Sequence, residues 1–139
     1  MFGAPGSNSS RKKQSGTTEY PTAKQLFSYM VSELLETDIW SWLHFEARQS
    51  KGWAEIALDS DDLLVNFLFP FRDSLENVFS NKEVEIPESW ALDYFKKKKA
   101  ATFRVNKVQA DGVINFLDNL FIKVYECPID YVVTGEFSR

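Results

Sequence analysis

The chain has 139 residues, 44% hydrophobic and 26% charged, with a formal net charge of -4, the profile of one folded domain rather than of a disordered or fibrous polypeptide. A single cysteine, Cys127, excludes an internal disulfide, and a single histidine, His44, leaves few ligands for a zinc centre or a Ser-His-Asp or Cys-His site. No stretch approaches the ~18 to 20 apolar residues of a membrane span and the N-terminus lacks the apolar core of a signal peptide, so a soluble cytoplasmic protein is expected, or a nuclear one in a eukaryotic or viral setting.

Residues 1–19 hold three of the six glycines and little that is apolar, too little to offset the entropy of ordering. They are predicted to form a flexible arm carrying the basic triplet Arg11, Lys12 and Lys13, ahead of one domain over 20–139. With Glu19 the arm carries +2, which leaves -6 for the body of the chain. An acidic body repels nucleic acid at long range, so any such contact must rest on local basic patches.

Order is expected from Thr22, which with Gln25 has the form of a capping box. Ala23, Leu26, Phe27, Met30, Val31, Leu34 and Leu35 then recur at helical spacing. From Ile39 the period becomes two, with Ile39, Leu43, Phe45 and Ala47 on one side and Trp40, Trp42, His44, Glu46 and Arg48 on the other. Polar turns at 49–52 and 59–62 separate this strand from two more, Trp53 to Leu58 and Leu63 to Phe69, giving an antiparallel meander that stops before Pro70.

Phe71, Leu75, Val78 and Phe79 predict a short helix with Pro70 near its first turn. Trp90, Ala91, Tyr94 and Phe95 predict another from Glu88 to about Lys98. Thr102 to Val105 reads as a brief strand. A longer helix follows, opened by Asn106 with Gln109 or by Asp111, and its stripe of Ala110, Val113, Leu117, Leu120, Phe121 and Val124 runs to about Glu126 before Pro128 ends it. Ile129 to Phe137 alternates as a closing strand. The expected fold is α+β: a single domain whose mainly antiparallel sheet, a three-stranded meander plus a C-terminal strand, is packed by the N-terminal helix and the long C-terminal helix.

Candidate chemistry is sparse. Asp59, Asp61 and Asp62 form an acidic turn that lacks the glycine and glutamate of a calcium loop, positions six and twelve being Leu64 and Pro70. His44 has Glu46 two residues on, a separation of about 7 Å along a strand, and no activated nucleophile beside it; a structural or surface role is expected. Cys127 reads as a small buried apolar residue, and no cofactor or metal is expected.

Two features suggest contact instead of chemistry. Lys96, Lys97, Lys98 and Lys99, continuing to Arg104, either complement the negative end of a helix or touch an anion such as phosphate. Trp40, Trp42 and Trp53 fall on one hairpin face, to be covered by the domain's own helices, by a partner, or by stacked bases. The leading expectation is a non-enzymatic protein-protein interaction module, a small acidic adaptor, inhibitor or immunity-like factor, or assembly subunit, that binds through the tryptophans and is compatible with self-association. The alternative is a nucleic-acid-binding protein whose Arg11, Lys12, Lys13, Lys96–Lys99 and Arg104 meet phosphate. A small-ligand carrier with a pocket between sheet and helices is a third.

Overall fold

The computed structural model describes the backbone of residues 13–15 and the whole of residues 22–139. Arg11, Lys12 and the rest of the arm expected over 1–19 lie outside the described residues, apart from β1 (Lys13–Ser15). The chain continues through α1 (Ala23–Glu36), β2 (Trp42–Ala47), β3 (Trp53–Asp59), β4 (Asp62–Leu68), α2 (Leu75–Asn81), β5 (Ala91–Lys96), β6 (Ala100–Asn106), α3 (Ala110–Asn119) and β7 (Val133–Ser138). The strands form one antiparallel sheet in the order β1-β7-β2-β3-β4-β6-β5. Among the described residues no helix is long and apolar enough to cross a membrane.

Helix starts follow local chemistry. The Thr22 side-chain oxygen accepts the Gln25 amide at 3.1 Å, and Ser74 does the same for Asn77 at 3.1 Å, each satisfying a donor that the first helical turn leaves open. The helix expected near Pro70 is therefore capped by Ser74 and begins at Leu75. Asn106 caps a short 3-10 turn, Lys107–Gln109, which leads into α3. A π-turn, Leu120–Val124, follows, and the segment closes where the Cys127 amide donates to the Phe121 carbonyl at 2.9 Å, with Glu126 left-handed at φ 59.

The three α-helices among the described residues lie on one side of the sheet. Phe27 of α1 meets Phe45 edge-on at 4.9 Å, Phe79 of α2 stacks on Phe67 at 5.9 Å, and Phe116 of α3 meets Phe67 at 5.4 Å. Leu43, Phe45, Ile56, Leu63, Val65, Phe67 and Phe137 are fully buried beneath them. The glycines at 52 and 135 serve space, since neither has positive φ. A Cβ at Gly135 would run into the Met30 sulfur, and one at Gly52 into the Tyr125 ring.

Three expectations fail. The helix foreseen from Glu88 to Lys98 is instead β5, paired to β6 from Ala91↔Arg104 to Lys96↔Ala100 with an irregularity between Leu92 and Tyr94. Lys96–Lys99 accordingly end a strand and form the β5–β6 turn, so there is no helix pole for them to complement. Trp40 and Ile39 exchange roles, because the chain bends at Asp38 and Ile39 and β2 begins only at Trp42. Ile39 is 47% exposed, while Trp40 is buried and stacks on Phe137 at 5.0 Å.

Candidate functional site

The side of the sheet away from the helices has no described element over it. Alternation along β2 and β3 sends Trp42, His44 and Glu46, and Trp53, Glu55 and Ala57, to that side. The hairpin register pairs His44 with Glu55 and Glu46 with Trp53, and β7 sets Glu136 on the other flank of His44. The resulting row continues through Asn66 of β4 and Thr102 of β6.

His44 is held from both ends. Its Nδ1 lies 2.9 Å from Glu55 Oε2 and its Nε2 2.9 Å from Glu46 Oε1. A carboxylate only accepts, so the ring satisfies both partners when it carries both protons and is an imidazolium. Burial works against that charge, but the hydrogen bonds and charges of Glu46 and Glu55 outweigh it and raise the His44 pKa above 6.5. Asn66 donates its amide to Glu55 Oε1 at 3.4 Å and Thr102 donates its hydroxyl to Asn66 Oδ1 at 2.9 Å, so one polar chain crosses β2, β3, β4 and β6. The ring of Trp53 stacks over His44 at 6.4 Å, and Trp42 meets it edge-on at 6.5 Å.

Both imidazole nitrogens are thus engaged by carboxylates, and neither is offered to a nucleophile. Cys127 is buried, with Sγ 3.5 Å from Ser50 Oγ. Among the described residues no group of three or more His, Cys, Asp or Glu is placed to hold a metal ion. The acidic turn is occupied by cations of the chain itself: Arg104 reaches Asp59 at 3.1 Å and Asp62 at 3.2 Å, with Asp93 at 3.8 Å, and Lys107 reaches Asp61 at 3.3 Å. The hydrogen bonds that Arg104 donates to Asp59 and Asp62 raise its pKa above the ordinary arginine value.

Of the residues singled out from sequence, the fold brings Trp42 and Trp53 together and removes Trp40 to the core. Lys96, Lys97, Lys98 and Lys99 stay together and exposed at one turn. Arg104 is four residues up β6 from that turn and already engaged by carboxylates. Lys13 opens β1 opposite Glu136. Glu55 and Glu136 were missed; the signal for Glu55 was the hairpin itself, since pairing centred on the Gln49–Ser50 turn sets Glu55 opposite His44. Two surface depressions, of about 850 and 510 Å³, flank the segment Val84–Ile86 on the helix side. No family model, no curated protein and no solved structure matches the chain.

Proposed function

We propose that the protein is a non-enzymatic binding module whose open sheet face receives a basic segment of a partner protein. The observation that carries this reading is the half-buried pair Trp42 and Trp53 around His44, with two carboxylates, Glu46 and Glu55, against one imidazolium. Flat aromatic surface with excess negative charge suits an arginine or lysine side chain, which gains from the tryptophan face and from the carboxylates together. Nearby carboxylates repel phosphate, and Arg104, on the β6 side of this face, is shared among Asp59, Asp62 and Asp93, which favours a protein segment over RNA or DNA as the occupant.

A fluorescence titration tests it with three probes: a peptide rich in arginine and tyrosine, its glutamate counterpart, and single-stranded RNA. The arginine peptide is expected to bind, and the Trp42→Ala/Trp53→Ala variant to weaken it roughly tenfold or more. Preferential RNA binding abolished by alanine at Lys96–Lys99 would replace this reading with the nucleic-acid one.

A further inference from the structure

Among the described residues the other surface with no element paired to it is an edge. β5 ends the sheet, and five of its six residues are exposed, Phe95 being the exception. It carries two large apolar side chains in the open, Leu92 at 51% and Tyr94 at 49% exposure. The irregularity at Asp93 resets the alternation, so that Leu92, paired to Phe103, and Phe95, paired to Ala101, both face the helix side. There they border the 510 Å³ groove with Phe79, Val84, Ile86 and Phe103. An outer strand of this kind presents backbone donors and acceptors in a row, ready to pair.

The charges around the strand indicate what pairs with it. Exposed Glu83, Glu85 and Glu88 precede β5, and exposed Lys96, Lys97, Lys98 and Lys99 follow it. Among the described residues no ion pair within 4 Å engages Glu83, Glu85, Glu88 or these lysines; the Asp73 pKa is lowered by the hydrogen bonds it accepts from Asn77 and Ser74, with the charge of Lys97 adding to them. The edge is therefore acidic at one end and basic at the other. A strand so polarised complements an antiparallel copy of itself and clashes with a parallel one.

We infer that two copies of the chain associate through β5, antiparallel about a two-fold axis near the Asp93–Tyr94 bond. That register sets Leu92 of each copy against Phe95 of the other, on the groove side of both, and brings the Glu85–Glu88 end of one beside the Lys96–Lys99 turn of the other. The two sheets become one, and the open face that carries Trp42 and Trp53 is left clear in both copies.

Sedimentation equilibrium on the full chain across micromolar to near-millimolar concentration tests this with two charge reversals, Lys96→Glu/Lys99→Glu and Glu85→Lys/Glu88→Lys. The native chain is expected to reach twice its 16.0 kDa mass, and each reversal to weaken association on the order of 100-fold by setting like charges together. An equimolar mixture of the two variants should recover a heterodimer, which also shows that both remain folded. A native chain that stays monomeric overturns the inference. So does a dimer indifferent to both reversals, or variants with native circular dichroism that fail to restore each other.

Discussion

Alanine at position 52 should be severely destabilising, although nothing about the backbone there demands glycine. At a site with ordinary φ, replacing Gly by Ala usually stabilises by about 0.4–1 kcal/mol through the unfolded chain. Here a Cβ would lie 2.5 Å from Tyr125 Cγ and 2.7 Å from Cε2, and closer still to Cδ2, so the ring must leave. It is packed edge-on against Phe121 at 5.2 Å, and its hydroxyl donates to the Leu68 carbonyl at 2.7 Å while lying 3.2 Å from that of Trp53. Burial, only partly offset by the Leu68 bond, raises the tyrosine's pKa far out of reach, so the group stays a donor. Losing a buried aromatic costs about 3–5 kcal/mol, and the released carbonyls add to that unless water reaches them. Gly52→Ala should therefore cost about 3–5 kcal/mol, a large share of the ~5–15 kcal/mol that holds a domain folded. Urea unfolding of Gly52→Ala, Tyr125→Ala and the double variant closes the cycle. Once Tyr125 is gone the ring that blocks the new methyl is absent, so the double variant should be about as stable as Tyr125→Ala alone. A neutral Gly52→Ala, or costs that add to within ~0.5 kcal/mol, would refute the steric argument.

His44 is the sole histidine, so its ring proton resonances need no assignment. Their midpoint should lie above 6.5, and in Glu46→Gln/Glu55→Gln below it, because burial then acts with little opposition. Since the folded pKa is the raised one, the stabilisation from protonated His44 is complete below 6.5 and fades as pH rises through the folded midpoint; the stability gap to His44→Gln should shrink accordingly, and a gap that widens with pH contradicts the clasp. Lys98 sits at φ 64 in the β5–β6 turn, and Lys98→Gly should raise the unfolding free energy by up to about 1 kcal/mol in urea titrations. Ser74→Ala should cost about 1 kcal/mol by the same assay, through loss of the α2 cap.

The meander was legible because its alternation is regular and its turns are polar. β5 was not, and the reason is physical. Trp90, Ala91, Tyr94 and Phe95 fall at the spacing of a helical stripe, whereas in β5 the irregularity at Asp93 breaks the alternation that would mark a strand, and Tyr94 and Phe95 lie on opposite sides of the sheet. Trp40 misled because the bend at Asp38–Ile39 breaks the parity that places its neighbours correctly. Trp42 and Trp53 could be found from local pattern, and Glu55 from the hairpin pairing across the Gln49–Ser50 turn, whereas Glu136 joins the row only through β7, far along the chain. The polarity of the β5 edge was in plain view as Glu83, Glu85, Glu88 and the lysine run, but its meaning depended on knowing that a strand, and an outermost one, lies between them.

β7 is synthesised after β1 to β6, yet it sits inside the sheet between β1 and β2, with Val133 and Phe137 in the core. While a ribosome still covers residues 133–138, β2 can pair on the β3 side alone, and the pocket that Phe137 fills beneath Trp40 stands vacant. The nascent chain thus passes through an interval in which the meander is formed and its flank is raw, the circumstance in which strands pair with the wrong neighbour. Slower translation between residues 69 and 133 would lengthen that interval and should raise the share of chains that mispair.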